Sequence, residues 1–519
     1  MNIKPLNSRY LPILLFLFAL LVYVSYSWGV SIYILDEAKN ATCAREMFES
    51  NDFFVPTFNN VLRTDKPPLH YFFMMLSYAI FGVNPFAARF FSAVFGALTI
   101  LITYLFTKKF LDKRAALFTT LVLLASIHLS LQFHLAVPDP YLIFFFTATL
   151  FLFYLALKTN KLSHVILMYA AIGLGTLSKG PVAILLPGLI FLLYLIFSKQ
   201  FKWKIIASLK PFLGVLIVLA IAVPWYLVNG LHTNWEWTRG FFLKHNVNRF
   251  SGAMEGHGGI FLITFLYVFA GLFPFALFFP QVFKEAYKNK SNNFILFNLI
   301  AGLTVVVFFS VSQTKLINYT VPSYPFIAVL TGYYFAFKLQ TFRQIRTNYF
   351  FLLFLGILIP IGGFIGLKYD PSLAPVNTQA LWFAVLPLGL ICAYFFRKEI
   401  VKFILLIGAT TLLTACVFFA IVFPVFDQQN PVVQSLPLLK GKEVVYFEKF
   451  NPSYSFYLKK KIEKIEANQM DDFFNSNPEG VIISTKKRYE KAVLAGDYTI
   501  LYSGKDLFES PTSILIGAK

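Results

Sequence analysis

The chain alternates long apolar runs with short polar stretches, and each run is about as long as a helix needs to cross a bilayer. A hydrocarbon core about 30 Å thick is spanned by about 20 helical residues. Such runs fall at 11–33, 67–83, 86–107, 115–131, 139–157, 164–177, 181–198, 210–228, 259–280, 293–311, 317–337, 348–367, 380–396 and 402–424, and each is predicted as a helix. From about residue 427 the pattern changes. The alternating runs Glu443-Val444-Val445-Tyr446-Phe447 and Val481-Ile482-Ile483-Ser484 predict strands, the pairs Asn451-Pro452 and Asn477-Pro478 predict turns, and 466–476 and 486–494 predict helices. The expected organisation is an all-α polytopic membrane domain over 1–426 and a small extracytoplasmic α/β domain over 427–519. The tail carries no catalytic motif and reads as a stabilising or acceptor-recruiting appendage.

Composition supports the membrane reading. Of 519 residues, 57% are hydrophobic and only 13% are charged, more apolar sequence than a soluble core can absorb. The 63 phenylalanines suit lipid-facing packing. A net charge of +20 could suggest nucleic acid, but the Lys and Arg lie in short clusters between apolar runs, the mark of membrane topology. The three cysteines, Cys43, Cys392 and Cys416, have neither metal-type spacing nor a disulfide framework. Residues 11–33 are too long for a signal-peptide core and read as a permanent first helix.

Basic clusters set the topology. They fall at Lys4/Arg9, Lys108-Lys109/Lys113-Arg114, Lys158/Lys161, Lys199/Lys202/Lys204/Lys210, Lys284/Lys288/Lys290, Lys338/Arg343/Arg346 and Arg397-Lys398/Lys402, and all should face the cytoplasm. If every run crossed, the cluster at 108–114 and all later ones would be inverted. Taking 67–83 as an interfacial helix repairs them together; it is short, opens on Pro67-Pro68 and contains His70, Tyr71, Ser77 and Tyr78. About thirteen transmembrane helices remain, with the N-terminus inside and the C-terminus outside. The stretches 36–66, 132–139, 178–181, 229–258, 312–316 and 368–379 then share the outer face, with 34–85 and 229–258 as the long outer loops.

Those loops hold the chemistry-bearing residues. Asp36 and Glu37 follow the first apolar run, where a carboxylate is either a helix cap or a functional group such as a general base. Residues 38–50 predict an amphipathic helix on the membrane, with Ala41, Ala44 and Phe48 on one face. Lys66, mounted before Pro67-Pro68, suits a lipid phosphate better than a snorkelling lysine, which needs no rigid mount. Asp139 lies between Pro138 and Pro140, and Lys179 sits in the tight turn Ser178-Lys179-Gly180-Pro181; both could be structural caps. His245 and Arg249 are spaced i, i+4 and suit a phosphate, or a metal beside one. Lys315 and Tyr319 repeat that spacing and could equally be interface anchors. Together the cations Lys66, Lys179, Arg249 and Lys315 would hold a lipid-linked phosphate, and the acids Asp36, Asp65 and Asp139 would bind a metal or activate a nucleophile.

The ordered series Asp36-Glu37-Ala38, Arg45-Glu46-Met47, Asp65-Lys66-Pro67-Pro68-Leu69-His70-Tyr71, Phe81-Gly82 with Arg89, Pro138-Asp139-Pro140, Ser178-Lys179-Gly180-Pro181, Pro224-Trp225, His245-Asn246-Val247-Asn248-Arg249-Phe250 and Lys315-Leu316-Ile317-Asn318-Tyr319 resembles a known family. It is similar to the bacterial aminoarabinose transferases that modify lipid A and, more broadly, to the protein O-mannosyltransferase-like enzymes of the GT-C fold, over roughly residues 10–340. The resemblance implies a GT-C architecture with interfacial helices in the first outer loop. It implies Asp36 as the catalytic acid, with Glu37 supporting it or capping its helix. It places Lys66 and Arg249 on the polyprenyl phosphate, Lys315 and Tyr319 on the phosphate side, and Asp65, Asp139 and His245 around a divalent metal (Zn, Mg or Mn). Asp65 stands where the family often has Glu, Lys39 where it often has Arg, and Asn318 alters the Lys-Leu-Pro-x-Tyr form. The implied activity is transfer of a hexosyl or pentosyl group from a polyprenyl-phosphate sugar to a glycolipid, protein or envelope-glycan acceptor at the outer face of a bacterial inner membrane. No nucleotide cofactor and no nucleic acid are expected. The competing class is a lipid-linked-sugar transporter or flippase without transfer chemistry, which would carry charges deep within its spans.

Overall fold

The computed structural model of the chain describes residues 9–247, 259–492, 498–507 and 510–518. Eight helices in it are long and apolar enough to cross a membrane, or ten when two bent pairs (Lys113–Leu124 with Ile127–Phe133, and Ile263–Gly271 with Phe275–Lys288) each count as one span. The expected number of thirteen is therefore not fixed by length and composition. Three of the expected spans fall short for definite reasons. The first, α1 (Leu11–Val24), and the one at Val182–Phe197 are apolar but only 14 and 16 residues long. The third, over 317–338, is divided into a 3-10 turn, an α-helix and a π-turn, with Pro322 inside the first.

Phenylalanine is used between helices as well as toward lipid. Phe146, Phe151, Phe153, Phe294, Phe297 and Phe326 are buried in one cluster, and the Phe153 and Phe191 rings stack with centroids 3.8 Å apart. Wide flat side chains fill the gap between spans where lipid-like apolarity alone would not select a partner.

The first outer loop is a folded unit. Helix α2 (Leu35–Ser50) starts one residue before Asp36, and its N-cap is Ile34, which offers no side-chain hydrogen bond. Asp36 and Glu37 therefore lie in the first turn, where the helix dipole favours an acid, and neither is a cap. The expected membrane-lying helix is instead packed on most sides: Glu37, Ala38, Asn40, Ala41, Thr42, Cys43, Ala44, Arg45 and Met47 are all buried. A two-residue hairpin follows, β1 (Thr57–Phe58) and β2 (Val61–Leu62), closed by Asn59 and Asn60, both at positive φ. That is the geometry of a type I′ turn, which asparagine tolerates. Helix α3 (Leu69–Phe81) then buries His70, Tyr71, Met74, Met75, Ser77 and Tyr78, and α4 (Pro85–Phe110) is the first of the long spans.

The tail folds as expected from its pattern. Strands β3 (Val444–Phe447), β4 (Glu463–Ile465), β5 (Val481–Thr485), β6 (Thr499–Lys505) and β7 (Thr512–Gly517) form one mixed sheet in the order β4-β3-β5-β7-β6, with helices at Met470–Ser476 and Lys486–Ala492. This sheet sits against the first outer loop: Phe456 of the tail shares a buried cluster with Ala38, Ala41 and Ala44 of α2.

Candidate active site

Two antiparallel helices build one wall of the site. Span α5 (Asp139–Thr159) and span α6 (Leu162–Lys179) are joined by two residues, so the far ends of both lie side by side. Asp139 opens the first helix behind Pro138, and Lys179 closes the second before Gly180, whose φ of 76° ends the helix without strain. Lys179 Nζ donates to Asp139 Oδ1 at 2.6 Å, and Asn318 Nδ2 donates to the same oxygen at 3.0 Å. Each charge is on the helix end whose dipole favours it. The two residues that read separately as caps are partners.

The first outer loop builds the opposite wall. Lys66 Nζ lies 3.2 Å from Asp36 Oδ2, and Arg63 Nη2 lies 3.6 Å from Asp36 Oδ1. Arg63 also forks onto Asp65, with Nε to Oδ1 at 2.7 Å and Nη2 to Oδ2 at 3.0 Å. Burial alone would raise the pKa of Asp36, but Lys66 and Arg63 outweigh it and hold the carboxyl below its ordinary value. Asp65 is lowered in the same way: burial opposes ionisation, and Arg63 overcomes it. Lys66 shows the converse, its burial outweighed by Asp36 and Asp65 so that its ammonium is held charged.

Between the walls lies a cavity of about 410 Å³. Asp65, Lys66, Asp139, Lys179 and His245 give it a charged end, and Leu142, Val182, Leu185, Phe241, Phe308, Phe309 and Pro322 give it an apolar flank. Tyr319 and Asn318 also line it, and the Tyr319 ring packs 4.9 Å from that of Phe309. A cavity with charge at one end and a greasy flank suits an amphiphile with an anionic head. Asp36 is not among the lining residues; it stands behind Lys66 with its side chain 45% exposed.

Three expectations need correction. Glu37, grouped with Asp36 as catalytic, is fully buried and spent on structure. Arg89 of α4 holds both its oxygens, Nε to Oε1 at 2.7 Å and Nη2 to Oε2 at 2.8 Å, and the Ala136 N–H donates to Oε1 at 3.0 Å. Lys315 does not line the cavity; its Nζ donates to the Ser312 carbonyl at 2.6 Å, closing its own turn. The metal expectation finds no fit: among the described residues no three His, Cys, Asp or Glu side chains converge, and Asp65 and Asp139 are held by Arg63 and Lys179. Arg249 lies outside the described residues. Sequence reasoning gave no role to Arg63, Arg89 or Asn318. For Arg63 the two-residue spacing to Asp65 was a usable signal; the other two pair across long stretches of chain.

Similarity to known proteins accords with this arrangement. Residues 65–227 match the dolichyl-phosphate-mannose-protein mannosyltransferase family. An uncharacterized protein of Aquifex aeolicus (strain VF5) is 30% identical over 394 residues, covering 74% of this chain and 88% of that one. The undecaprenyl phosphate-alpha-4-amino-4-deoxy-L-arabinose arabinosyl transferase 2 of Pseudomonas fluorescens (strain Pf0-1) is 28% identical over 360 residues, 68% of this chain. The crystal structure of ArnT from Cupriavidus metallidurans bound to undecaprenyl phosphate superposes with a TM-score of 0.82 at 20% identity, covering 98% of both chains. The chain is an aminoarabinose-transferase-like protein of the GT-C fold, in one family with the Aquifex protein. It is a polytopic membrane protein. The matched region spans 64% of the length of the Pseudomonas enzyme.

Proposed function

We propose that the protein transfers a sugar from a polyprenyl-phosphate donor to an acceptor at the outer face of a bacterial inner membrane. One observation carries this reading: Lys66 and Lys179 stand at the charged end of a cavity whose flank is apolar. The apolar flank takes the first isoprene units. The two ammonium groups take the phosphate as point charges. In exchange they release the carboxylates that now neutralise them, and the carboxylate freed from Lys66 is that of Asp36. The acceptor oxygen then attacks the anomeric carbon. Its new bond forms as the bond from that carbon to the phosphate oxygen breaks. The acceptor proton goes to Asp36, and the bonding electrons stay on the polyprenyl phosphate, whose added charge Lys66 and Lys179 offset. An acceptor that is already an anion needs Asp36 only to orient it. No step requires a nucleotide or a metal.

The acceptor class proposed is an envelope glycolipid, with a protein or glycan hydroxyl as alternatives of the same chemistry. The test is transfer by purified Asp36→Asn protein from a polyprenyl-phosphate sugar in detergent. The substitution preserves shape and removes the base, so transfer should fall by at least about 100-fold, at the lower end for general base catalysis, while melting temperature stays near wild type. Retained transfer would remove Asp36 from the reaction. Activity without a sealed membrane would exclude a pure transporter.

A further inference from the structure

Beside the hydrogen bonds that Asp427 and Asn430 make with Ser31, the tail domain makes two further grips, one ahead of each half of the Asp36–Lys66 pair. Ahead of Asp36, the backbone N–H of buried Ile32 donates to the Tyr457 hydroxyl at 2.7 Å. Ahead of Lys66, the Asn59 side chain makes a pair of hydrogen bonds with the backbone of Ile462. Its Nδ2 donates to the Ile462 carbonyl at 2.8 Å, and its Oδ1 accepts from the Ile462 N–H at 2.8 Å. Ile462 leads into β4, an edge strand of the sheet. The Asn59 carboxamide therefore stands where a neighbouring strand would otherwise pair, using the free hydrogen-bonding groups that an edge presents. It can do so because the type I′ turn at Asn59-Asn60 aims the side chain outward from the hairpin.

The other side of the hairpin is fixed as firmly. The Glu46 carboxylate of α2 accepts from Thr57 Oγ1 at 2.6 Å and from the backbone N–H of Asn59 at 2.9 Å and of Asn60 at 3.1 Å. The hairpin is thus held between α2 and the tail, and β2 leads straight into Arg63, Asp65 and Lys66.

We infer that the tail domain is a brace for the donor site, with Asn59 and Tyr457 as positioning residues that set Lys66 and Asp36 against each other. This rests on the donor-phosphate reading of the cavity. A loop carrying a phosphate-binding lysine samples many positions unless something outside it removes them, and misplacement by about 1 Å can cost on the order of 100-fold. Here the sheet edge supplies that restraint, which gives the otherwise motif-free tail an indirect part in substrate binding, through the loop it holds.

The experiment uses the full chain in detergent with undecaprenyl phosphate as the probe. Asn59→Gly keeps the turn, because glycine accepts positive φ, and removes only the side-chain grip. Tyr457→Phe removes one hydroxyl. Val481→Ala, buried in the sheet, lowers stability without touching either grip. Asn59→Gly should weaken undecaprenyl phosphate binding by on the order of tenfold and speed amide exchange within 57–66. Tyr457→Phe should speed exchange within 32–36, while the Ser31 N–H stays held by Asp427. Val481→Ala should leave affinity unchanged per folded molecule. Wild-type affinity in Asn59→Gly, or equal weakening in Val481→Ala, overturns the brace. If wild type itself does not bind undecaprenyl phosphate, the cavity reading fails. The localised exchange then still decides whether the grips hold the loop, and its absence overturns the brace independently.

Discussion

At the scale of the residue, Asp36 is governed by a contest between burial and charge. Burial raises its pKa, and Lys66 with Arg63 lower it further than burial lifts it. The carboxylate therefore persists as pH falls through the ordinary range near 4. Any stability it contributes is present above the unfolded value and fades only as pH drops through the lowered one. The acid limb of kcat/KM should accordingly lie below the ordinary carboxylate range. In Lys66→Met the largest opposing charge is gone, so the limb should move to higher pH while donor affinity falls. A pH–rate profile checks both; an unshifted limb would separate Asp36 from Lys66. Asp36 and Lys66 were legible in the sequence because each breaks a local rule, an acid beside lipid and a lysine locked before two prolines. Glu37 was misread because adjacency to Asp36 says nothing about direction: successive helix residues point about 100° apart. One faces the cavity side and the next faces Arg89.

Elements explain why those directions are fixed. Arg89 projects from α4 and spends its remaining donors on three carbonyls ahead of α2: Nη1 reaches Ser27 at 3.2 Å and Val30 at 2.9 Å, and Nη2 reaches Ser31 at 2.6 Å. The fork on Glu37 and these carbonyls together set where α2 begins, and hence where Asp36 points. A single partner removed from a buried pair leaves an uncompensated charge, which costs about 3–5 kcal/mol. Arg89→Ala should lower stability by that amount in thermal or denaturant unfolding. Arg89→Lys should recover little of it, because an ammonium cannot fork onto a carboxylate and three carbonyls at once. Stability equal to wild type in Arg89→Ala would show that α2 is fixed by other contacts. The apolar periodicity made the helices legible, together with the strands and helices of the tail. It could not show that α2 is buried on most sides, because its sequence is mostly small and polar residues, and such a helix looks amphipathic until its neighbours are known.

For the whole molecule, the contact between the tail and the first outer loop constrains topology without reference to charge. Phe456 packs on α2, and Asn59 holds Ile462, so both lie on one side of the membrane. The chain must then cross an even number of times between them. If each bent pair is one span, and if Val182–Phe197 and the broken helix over 317–338 also cross, the chain after α1 makes twelve crossings. A crossing α3 would make the count odd, so on this count α3 does not cross. The distribution of Lys and Arg requires the same exception, on separate physical grounds. Single cysteines in a background lacking Cys43, Cys392 and Cys416 can test it with a membrane-impermeant maleimide on intact cells. Val61→Cys before α3, Phe81→Cys at its end and Glu479→Cys in the tail should label from outside, and Lys109→Cys only after lysis; all four positions are exposed. Labelling of Val61→Cys and Phe81→Cys from opposite sides would make α3 a span. It would also break the parity that places the cavity and the tail on one face, and with it the outward-facing donor site.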